Sequence, residues 1–232
     1  MNLRTNLRTS KTNYAFTDGE IFYPESDGEP MAETDKHRNL LFELVEGLKR
    51  FYAEDDEVYV TGNLLFYFIE GVPEECVAPD VMVCFGVPKG DRRIYKLWEE
   101  KVTPSVVIEL ASLSTFKKDR TDKRELYESL GIKEYFIYNP DYPKTLPPLV
   151  GYRLNNGEYE KLRVENDRVF SEILGLELVD TGDTLRLFNS PTNNFLPNFA
   201  ELASAEGRAR TAEAEIKRLK AELEQLRIQY QG

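Results

Sequence analysis

Two apolar runs joined by a charged segment set the strongest constraint on the fold of this chain. The runs cover residues 105–111 and 134–138, and residues 118–130 between them have the pattern of a helix that ends at Gly131. A mostly apolar run of this length is typical of a buried central strand. We therefore predict a parallel strand–helix–strand unit, with the helix crossing over the sheet.

The remaining segments predict further strands and one more helix in the same domain. Leucine and valine recur at helical spacing over residues 40–48, and Thr34 or Asp35 can cap this first helix. The other predicted strands are 58–60, 64–69 (after a Gly62-Asn63 turn), 79–85, 94–98, a hairpin of 149–154 and 158–164, and a last pair around 181–183. This order of elements predicts an α/β (α+β) fold with a mixed β-sheet flanked by helices.

Composition divides the chain into three segments. Residues 1–30 are a polar leader, residues 31–192 the folded domain, and residues 198–232 a C-terminal heptad helix. The chain has 232 residues, 41% of them hydrophobic, which is enough for one sizeable domain with an appendage. No apolar run approaches the ~20 residues of a membrane span, and the leader lacks the apolar stretch of a secretory signal. The two cysteines of the chain, Cys76 and Cys84, do not form a CxxC pair, so we expect a reduced, cytoplasmic protein.

The C-terminal segment carries an uninterrupted heptad seam of apolar residues. The seam residues are Leu202, Ala205, Ala209, Ala212, Ile216, Leu219, Leu223, Leu226 and Tyr230. In a parallel dimer three pairs of facing charges are opposite in sign, and they are Arg208 with Glu213, Glu215 with Lys220, and Glu222 with Arg227. Each exposed pair contributes only ~0.5 kcal/mol, so the pairs select orientation more than they stabilise. We expect a homodimer through a parallel coiled coil; a single helix docked on its own domain is the alternative.

Two acidic residues lie at the ends of apolar runs that we predict to be neighbouring strands. Asp80 opens the run 81–85, and Glu109 directly follows the run 106–108. Because a carboxylate beside a buried strand needs a partner, Glu109 is hard to explain as a structural residue. Asp80 and Glu109 are suited to Mg²⁺ or Mn²⁺, and Lys123 can orient water or stabilise a phosphate. This set of residues indicates metal-dependent cleavage of a phosphodiester.

Other chemistries fit the sequence less well. With His37 as the one histidine, a nucleophilic triad and a structural zinc site are both improbable. The chain has no GxxxxGK[ST] loop, which argues against an NTPase. The net charge of −11 argues against a non-specific nucleic-acid coat protein, but a local basic face and bound metal can still accommodate DNA.

A set of spaced residues across the domain has the pattern of a known family. The residues are Pro79-Asp80, Val107-Ile108-Glu109-Leu110-Ala111-Ser112, Asp119, Lys123, Tyr127, Gly131, Glu134-Tyr135-Phe136 and Pro140. They resemble the Uma-two family of endonucleases, in the PD-(D/E)xK restriction-endonuclease-like superfamily, over residues 30–190. The resemblance implies an αβββαβ core, a divalent metal and cleavage of DNA.

The chain departs from the superfamily pattern at one position. The usual lysine two residues after the glutamate is replaced by Ala111. The resemblance implies that the lysine has moved to the following helix, where Lys123 matches it and Lys117 and Lys118 are nearby alternatives. Ser112 follows the motif and is predicted either to hold a metal-bound water or to cap the approach to the helix.

Accessory residues are predicted on the first helix and in the basic segment. Superfamily members often carry an acidic residue on the first helix, which makes Glu33 and Asp35 candidates, with His37 close by; a helix cap is the alternative role. The segment 117–124 is rich in lysine and arginine. Lys117, Lys118 and Arg120 are therefore candidates for contacts with DNA phosphates, or else they form a solvated helix face.

The sequence as a whole predicts a metal-dependent DNA endonuclease whose catalytic residues are Asp80, Glu109 and Lys123. The alternative is a catalytically inactive nucleic-acid-binding or protein-binding module on the same fold. Ala111 and the heptad tail are the features that favour this alternative.

Overall fold

The computed structural model of the chain describes residues 21–26, 34–111, 119–140 and 147–230. The chain divides into two compact units, residues 1–195 and residues 196–232. In chain order, the elements of the first unit are α1 Asp35–Phe51, β1 Val58–Thr61, β2 Phe66–Tyr67, β3 Cys76–Val77, β4 Val81–Phe85, β5 Tyr95–Lys96, α2 Leu97–Glu100, β6 Val106–Leu110, a π-helix Asp119–Lys123, α3 Arg124–Ser129, β7 Glu134–Tyr138, β8 Leu149–Asn155, β9 Glu158–Lys161, β10 Arg168–Ser171, β11 Leu176–Asp180, β12 Leu185–Asn189, a 3₁₀ turn Ser190–Thr192 and β13 Asn194–Phe195. The second unit contains one helix, α4 Phe199–Tyr230.

Helix α1 begins and packs as its sequence pattern predicts. The Thr34 side chain accepts a hydrogen bond from the His37 N–H at 3.2 Å, which makes Thr34 the N-cap. The periodic apolar residues are all buried, and they are Leu40, Leu41, Leu44, Val45 and Leu48. This apolar face packs on β1, β4 and β12. The helix therefore covers one face of the sheet beside the start of β4.

A six-stranded mixed sheet forms the centre of the domain. Its strand order is β1-β4-β6-β7-β8-β9, and β6 and β7 are its parallel pair. Every residue of β6 and β7 is buried, as expected for strands covered on both faces. The predicted strand–helix–strand unit and the mixed α+β class are confirmed.

The crossover helix differs from its prediction in its first turn. Residues 119–123 form a π-helix, α3 follows from Arg124, and Gly131 with φ +76° lies just after the helix ends. The predicted start at Lys118 lies outside the described residues. A π-turn widens the helix and changes the direction of the side chains that follow, which helical periodicity cannot reveal.

The turn at Gly62-Asn63 leads out of the main sheet instead of closing a hairpin. Asn63 has φ +50°, and its N–H donates to Pro79 O at 2.9 Å. Strand β2 after this turn pairs with β3 and, in parallel, with β5. The predicted strand 64–69 is therefore shortened to two residues, and the predicted strand 94–98 is β5 followed by the start of α2.

A four-stranded antiparallel sheet, β10-β11-β12-β13, completes the first unit. The predicted turn at 181–183 joins β11 to β12, and the predicted hairpin of β8 and β9 has Asn156 and Gly157 at φ +51° and +90°. Both of these predictions are confirmed. Strands β10 and β13 were not predicted, since they are short and lack a clear alternation.

A buried carboxylate joins the main sheet to this second sheet. Glu134 has no exposed surface; its Oε1 accepts from Arg153 Nε at 2.9 Å and from the Glu172 N–H at 3.0 Å. The Ser171 hydroxyl donates to the other oxygen, Oε2. Because Arg153 lies on β8 and Ser171 on β10, the Glu134 side chain links the two sheets through a fully satisfied network.

Helix α4 is continuous over its 32 residues. The seam side chains Ile216, Leu219, Leu223 and Leu226 are 52%, 47%, 57% and 49% exposed. Within the described ranges, none of the helices combines the length and the hydrophobicity that a membrane span requires.

Replacing Arg153 with methionine should destabilise the domain by about 3 kcal/mol, because Glu134 would remain buried without its cation. The matched control is Arg163→Met, which removes an arginine that is 87% exposed and paired with Glu165. Urea unfolding monitored by circular dichroism measures both variants. Equal loss of stability in the two variants would contradict a structural role for the buried pair.

Candidate active site

Asp80 and Glu109 are neighbours on paired strands at one end of the main sheet. Strands β4 and β6 are antiparallel, and Val81 pairs with Ile108. One step further along this register, Asp80 lies opposite Glu109. Residues that face each other across two strands project from the same face of a sheet. The two predicted ligands therefore come from different strands and share one face.

Asp80 is held by a main-chain donor on one oxygen and a histidine near the other. Its Oδ2 accepts from the Leu110 N–H at 2.7 Å, and its Oδ1 lies 3.4 Å from His37 Nε2. Burial raises the pKa of Asp80, but His37, the charge of Lys123 and the Leu110 N–H outweigh burial and hold the pKa below its ordinary value. Asp80 is therefore a carboxylate at neutral pH.

Glu109 is the more deeply buried carboxylate, with 2% of its side chain exposed. The Tyr127 hydroxyl donates to Oε1 at 2.7 Å, and Lys123 Nζ lies 2.8 Å from Oε2. The Lys123 side chain is 21% exposed, so it lies between the buried carboxylate and the solvent.

The crossover helix supplies two partners of Glu109, Lys123 and Tyr127. Lys123 ends the π-helix and Tyr127 lies in α3, four residues later, so the two side chains lie on one face of the helix. Ala111, two residues after Glu109, is fully buried in one apolar cluster with Tyr127. The helix thus brings an ammonium group to the carboxylate while the position of the usual lysine is filled by a small core residue.

Gly62 allows α1 to approach Asp80. A Cβ at Gly62 would lie 2.5 Å from the Asp80 carbonyl oxygen and 2.9 Å from Val45 Cγ2. The neighbouring Asn63 N–H holds Pro79 O at 2.9 Å. The Gly62-Asn63 turn therefore fixes the start of β4 against the helix that carries His37.

The structure describes some of the predicted site residues and does not describe others. Asp80, Glu109, Lys123 and His37 come together in the described chain. Glu33, Ser112, Lys117 and Lys118 lie outside the described residues, and Arg120 is described only as part of the π-helix backbone.

Tyr127 is one of the residues of the family pattern, but no role was predicted for it. Its spacing of four from Lys123 was the available signal, because residues i and i+4 share a helix face. The hydrogen bond from the Leu110 N–H to Asp80 was not predicted either, because every residue except proline has a main-chain N–H and the sequence does not show which one donates.

Among the described residues, this site offers carboxylate oxygens and one imidazole as ligands for a metal ion. In the part of the chain that the structure describes, no cluster of three or more His, Cys, Asp or Glu residues could hold a metal ion. Mg²⁺ does not need such a cluster, because it is commonly bound by one or two carboxylates and keeps several waters. Two carboxylates that share a face are compatible with this manner of binding.

The first unit is an α+β domain with a mixed sheet, a parallel crossover unit and flanking helices. A family model described as a putative restriction endonuclease, Uma2, matches residues 5–181, and the chain belongs to this family. The predicted membership of the Uma-two family is therefore confirmed.

Comparison with solved structures gives a more distant likeness. One match is the crystal structure of a putative nuclease belonging to DUF820 from Anabaena variabilis ATCC 29413, at 18% sequence identity and a TM-score of 0.45. The match covers 62% of this chain and 76% of that chain. A search of curated proteins gives no match.

Replacing Gly62 with alanine should destabilise the protein by about 1–3 kcal/mol, because the new methyl group would push α1 away from the Asp80 backbone. The control is Gly47→Ala, since a Cβ at this helical position would have no heavy atom within 4 Å outside the backbone of its own helix. That variant should gain up to about 1 kcal/mol from helix propensity. Thermal and urea unfolding distinguish the two, and a tolerated Gly62→Ala would show that the close approach is unimportant.

Proposed function

We propose that this protein is a divalent-metal-dependent DNA endonuclease. Membership of the Uma2 family supports a nuclease. The observation that carries the proposal is the 2.8 Å contact between the Lys123 ammonium group and Glu109, beside Asp80 on the paired strand. Two carboxylates with an ammonium group are suited to phosphodiester hydrolysis, in which negative charge on the phosphate must be stabilised.

Asp80 and Glu109 are the residues that would hold Mg²⁺ or Mn²⁺. Each carboxylate has one oxygen occupied by a neutral donor, the Leu110 N–H or the Tyr127 hydroxyl. The second oxygen of each carboxylate faces a basic side chain, His37 for Asp80 and Lys123 for Glu109. These second oxygens are the ones that would bind the metal ion. When bound, the metal would supply an activated water and neutralise negative charge.

Lys123 and His37 act beside the carboxylates in this proposal. The Lys123 ammonium group can orient the attacking water or stabilise charge on the phosphate, and its partial exposure leaves it within reach of a substrate. His37 lies 3.4 Å from Asp80 and is an accessory residue that helps to keep this carboxylate ionised.

Contacts with DNA are proposed for the basic residues that precede Lys123 in the chain. Lys117, Lys118 and Arg120 come three to six residues before Lys123. Lysine and arginine side chains bind phosphate oxygens without reading sequence, so these residues would position the backbone of the DNA. A local basic segment of this kind can offset the net charge of −11.

The alternative, an inactive binding module on the same fold, draws its support from Ala111. A lysine is absent from that position, and such an absence is a reason to expect loss of catalysis. The Lys123 ammonium group at 2.8 Å from Glu109 favours the endonuclease, because it supplies the missing cation from the helix.

We also propose that the protein works in a reducing compartment, the cytoplasm. Cys76 and Cys84 are thiols and do not form a disulfide. Burial raises the pKa of Cys84 to about 12, so this thiol remains protonated and unreactive.

Homodimerisation through helix α4 is a further part of the proposal, with a second copy of the chain as the partner. Ile216, Leu219, Leu223 and Leu226 are about half exposed and form one apolar stripe along the helix. Burying such a stripe against an identical stripe is the usual basis of a coiled coil.

Charge complementarity favours a parallel arrangement of the two helices. The pairs Arg208–Glu213, Glu215–Lys220 and Glu222–Arg227 would be attractive between two parallel copies. Glu201 and Glu206 would face each other with like charge at the alanine-rich start, so the pairing is strongest from residue 208 onward.

The variants Asp80→Asn, Glu109→Gln and Lys123→Met should each lower DNA cleavage by roughly 100-fold or more, because each removes a charge that the reaction uses. Nicking of supercoiled plasmid with Mg²⁺ or Mn²⁺, compared with EDTA, measures the activity. Lys49→Met, at an exposed lysine of α1 paired with Glu46, is the control for loss of a lysine charge. Wild-type activity in folded Asp80→Asn and Glu109→Gln would refute the site assignment.

Reversing the charges of Glu215 and Glu222 to lysine should weaken dimerisation roughly tenfold or more, because four attractive contacts per dimer become repulsive. Adding Lys220→Glu and Arg227→Glu to this double variant should restore dimerisation if the two helices are parallel. In an antiparallel dimer these four substitutions would leave like charges facing each other. Light scattering over a concentration series measures the mass, and a wild-type monomer at all concentrations would refute the dimer.

A further inference from the structure

We propose that Tyr127 is a positioning residue that gives the two oxygens of Glu109 separate tasks. The proposal rests on the metal-dependent function above and deepens it. Tyr127 would hold Oε1 and so reserve Oε2 for the cations of the site, which are Lys123 and the metal ion. Tyr127 would touch neither the DNA nor the metal.

The Tyr127 hydroxyl can only be a donor to Glu109. It lies 2.7 Å from Oε1, and a carboxylate oxygen is an acceptor. The Tyr127 side chain is fully buried, so this donor is held on one oxygen of the carboxylate.

The surrounding residues hold the Tyr127 ring in place. Its ring meets that of Tyr135 edge-on, with centroids 5.0 Å apart, and its carbonyl oxygen accepts from the Ile132 N–H at 3.0 Å. Tyr127 belongs to a buried cluster with Val107, Ala111 and Ile137. The hydroxyl therefore reaches the carboxylate from a rigid position, which a positioning residue requires.

The two oxygens of Asp80 also have different partners, although the neutral donor here is a main-chain N–H. The Leu110 N–H holds Oδ2 at 2.7 Å, while Oδ1 lies 3.4 Å from His37. Each carboxylate thus has one oxygen bound to a neutral donor of the fold and the other facing a basic side chain. The neutral donor of Glu109 is a side chain, so the arrangement can be tested there by substitution.

The test compares two variants that each delete one tyrosine hydroxyl from the same aromatic cluster. Tyr127→Phe removes the donor to Glu109. Tyr159→Phe removes a hydroxyl that donates to the main-chain Ile132 O at 2.9 Å, and the Tyr159 ring lies 6.3 Å from that of Tyr135. Because both variants keep the ring, they report on the hydroxyl and leave the packing of the cluster unchanged.

The readouts are the dissociation constant for Mn²⁺ from calorimetry and the steady-state constants for plasmid cleavage. Loss of a residue that orients a metal ligand typically weakens metal binding by about 10- to 100-fold. We expect a loss of this size for Tyr127→Phe, with kcat lowered and KM for DNA unchanged. Tyr159→Phe should bind Mn²⁺ within about twofold of the wild type, and both variants should unfold cooperatively in urea.

The possible outcomes separate this inference from the proposed function. A wild-type protein that does not bind Mn²⁺ would overturn both. If the wild type binds Mn²⁺ but Tyr127→Phe binds it equally well, the inference alone is wrong. Equal losses of affinity in Tyr127→Phe and Tyr159→Phe would likewise assign Tyr127 a purely structural role.

Discussion

The antiparallel pairing of β4 with β6 is the constraint on which the rest of the site depends. This register sets Asp80 opposite Glu109, although the two residues are far apart in the chain. A slip of one residue would turn the side chains of one strand to the other face and separate the carboxylates. Apolar side chains fix the register, because Val81 and Ile108 are paired and fully buried.

Burial of Glu109 makes the crossover helix part of the site. An isolated carboxylate in a buried strand would be costly, so its two oxygens need partners. Lys123 and Tyr127 provide them from the helix that must in any case connect β6 to β7. The element that completes the sheet topology thus also supplies an ammonium group to Glu109, while position 111 holds an alanine.

The parts of this structure that could be predicted have strong local signals. The parallel unit around β6 and β7 follows from two mostly apolar runs, and Asp80 and Glu109 stand out because a carboxylate beside the apolar residues of a strand needs a partner. Strand β3 and the short lengths of β2 and β5 could not be predicted, since two-residue strands depend on partners that are distant in the sequence. The π-turn before Lys123, the donor role of Tyr127 and the Leu110 N–H are likewise consequences of packing.

The proposed function requires Asp80 and Glu109 to hold a divalent metal ion together. Anomalous diffraction from crystals soaked in Mn²⁺, collected near the manganese absorption edge, tests it most directly. A peak within about 2.5 Å of an oxygen of each carboxylate is the predicted result. Crystals with an accessible site that show no peak there, or a peak bound by other residues, would contradict the claim.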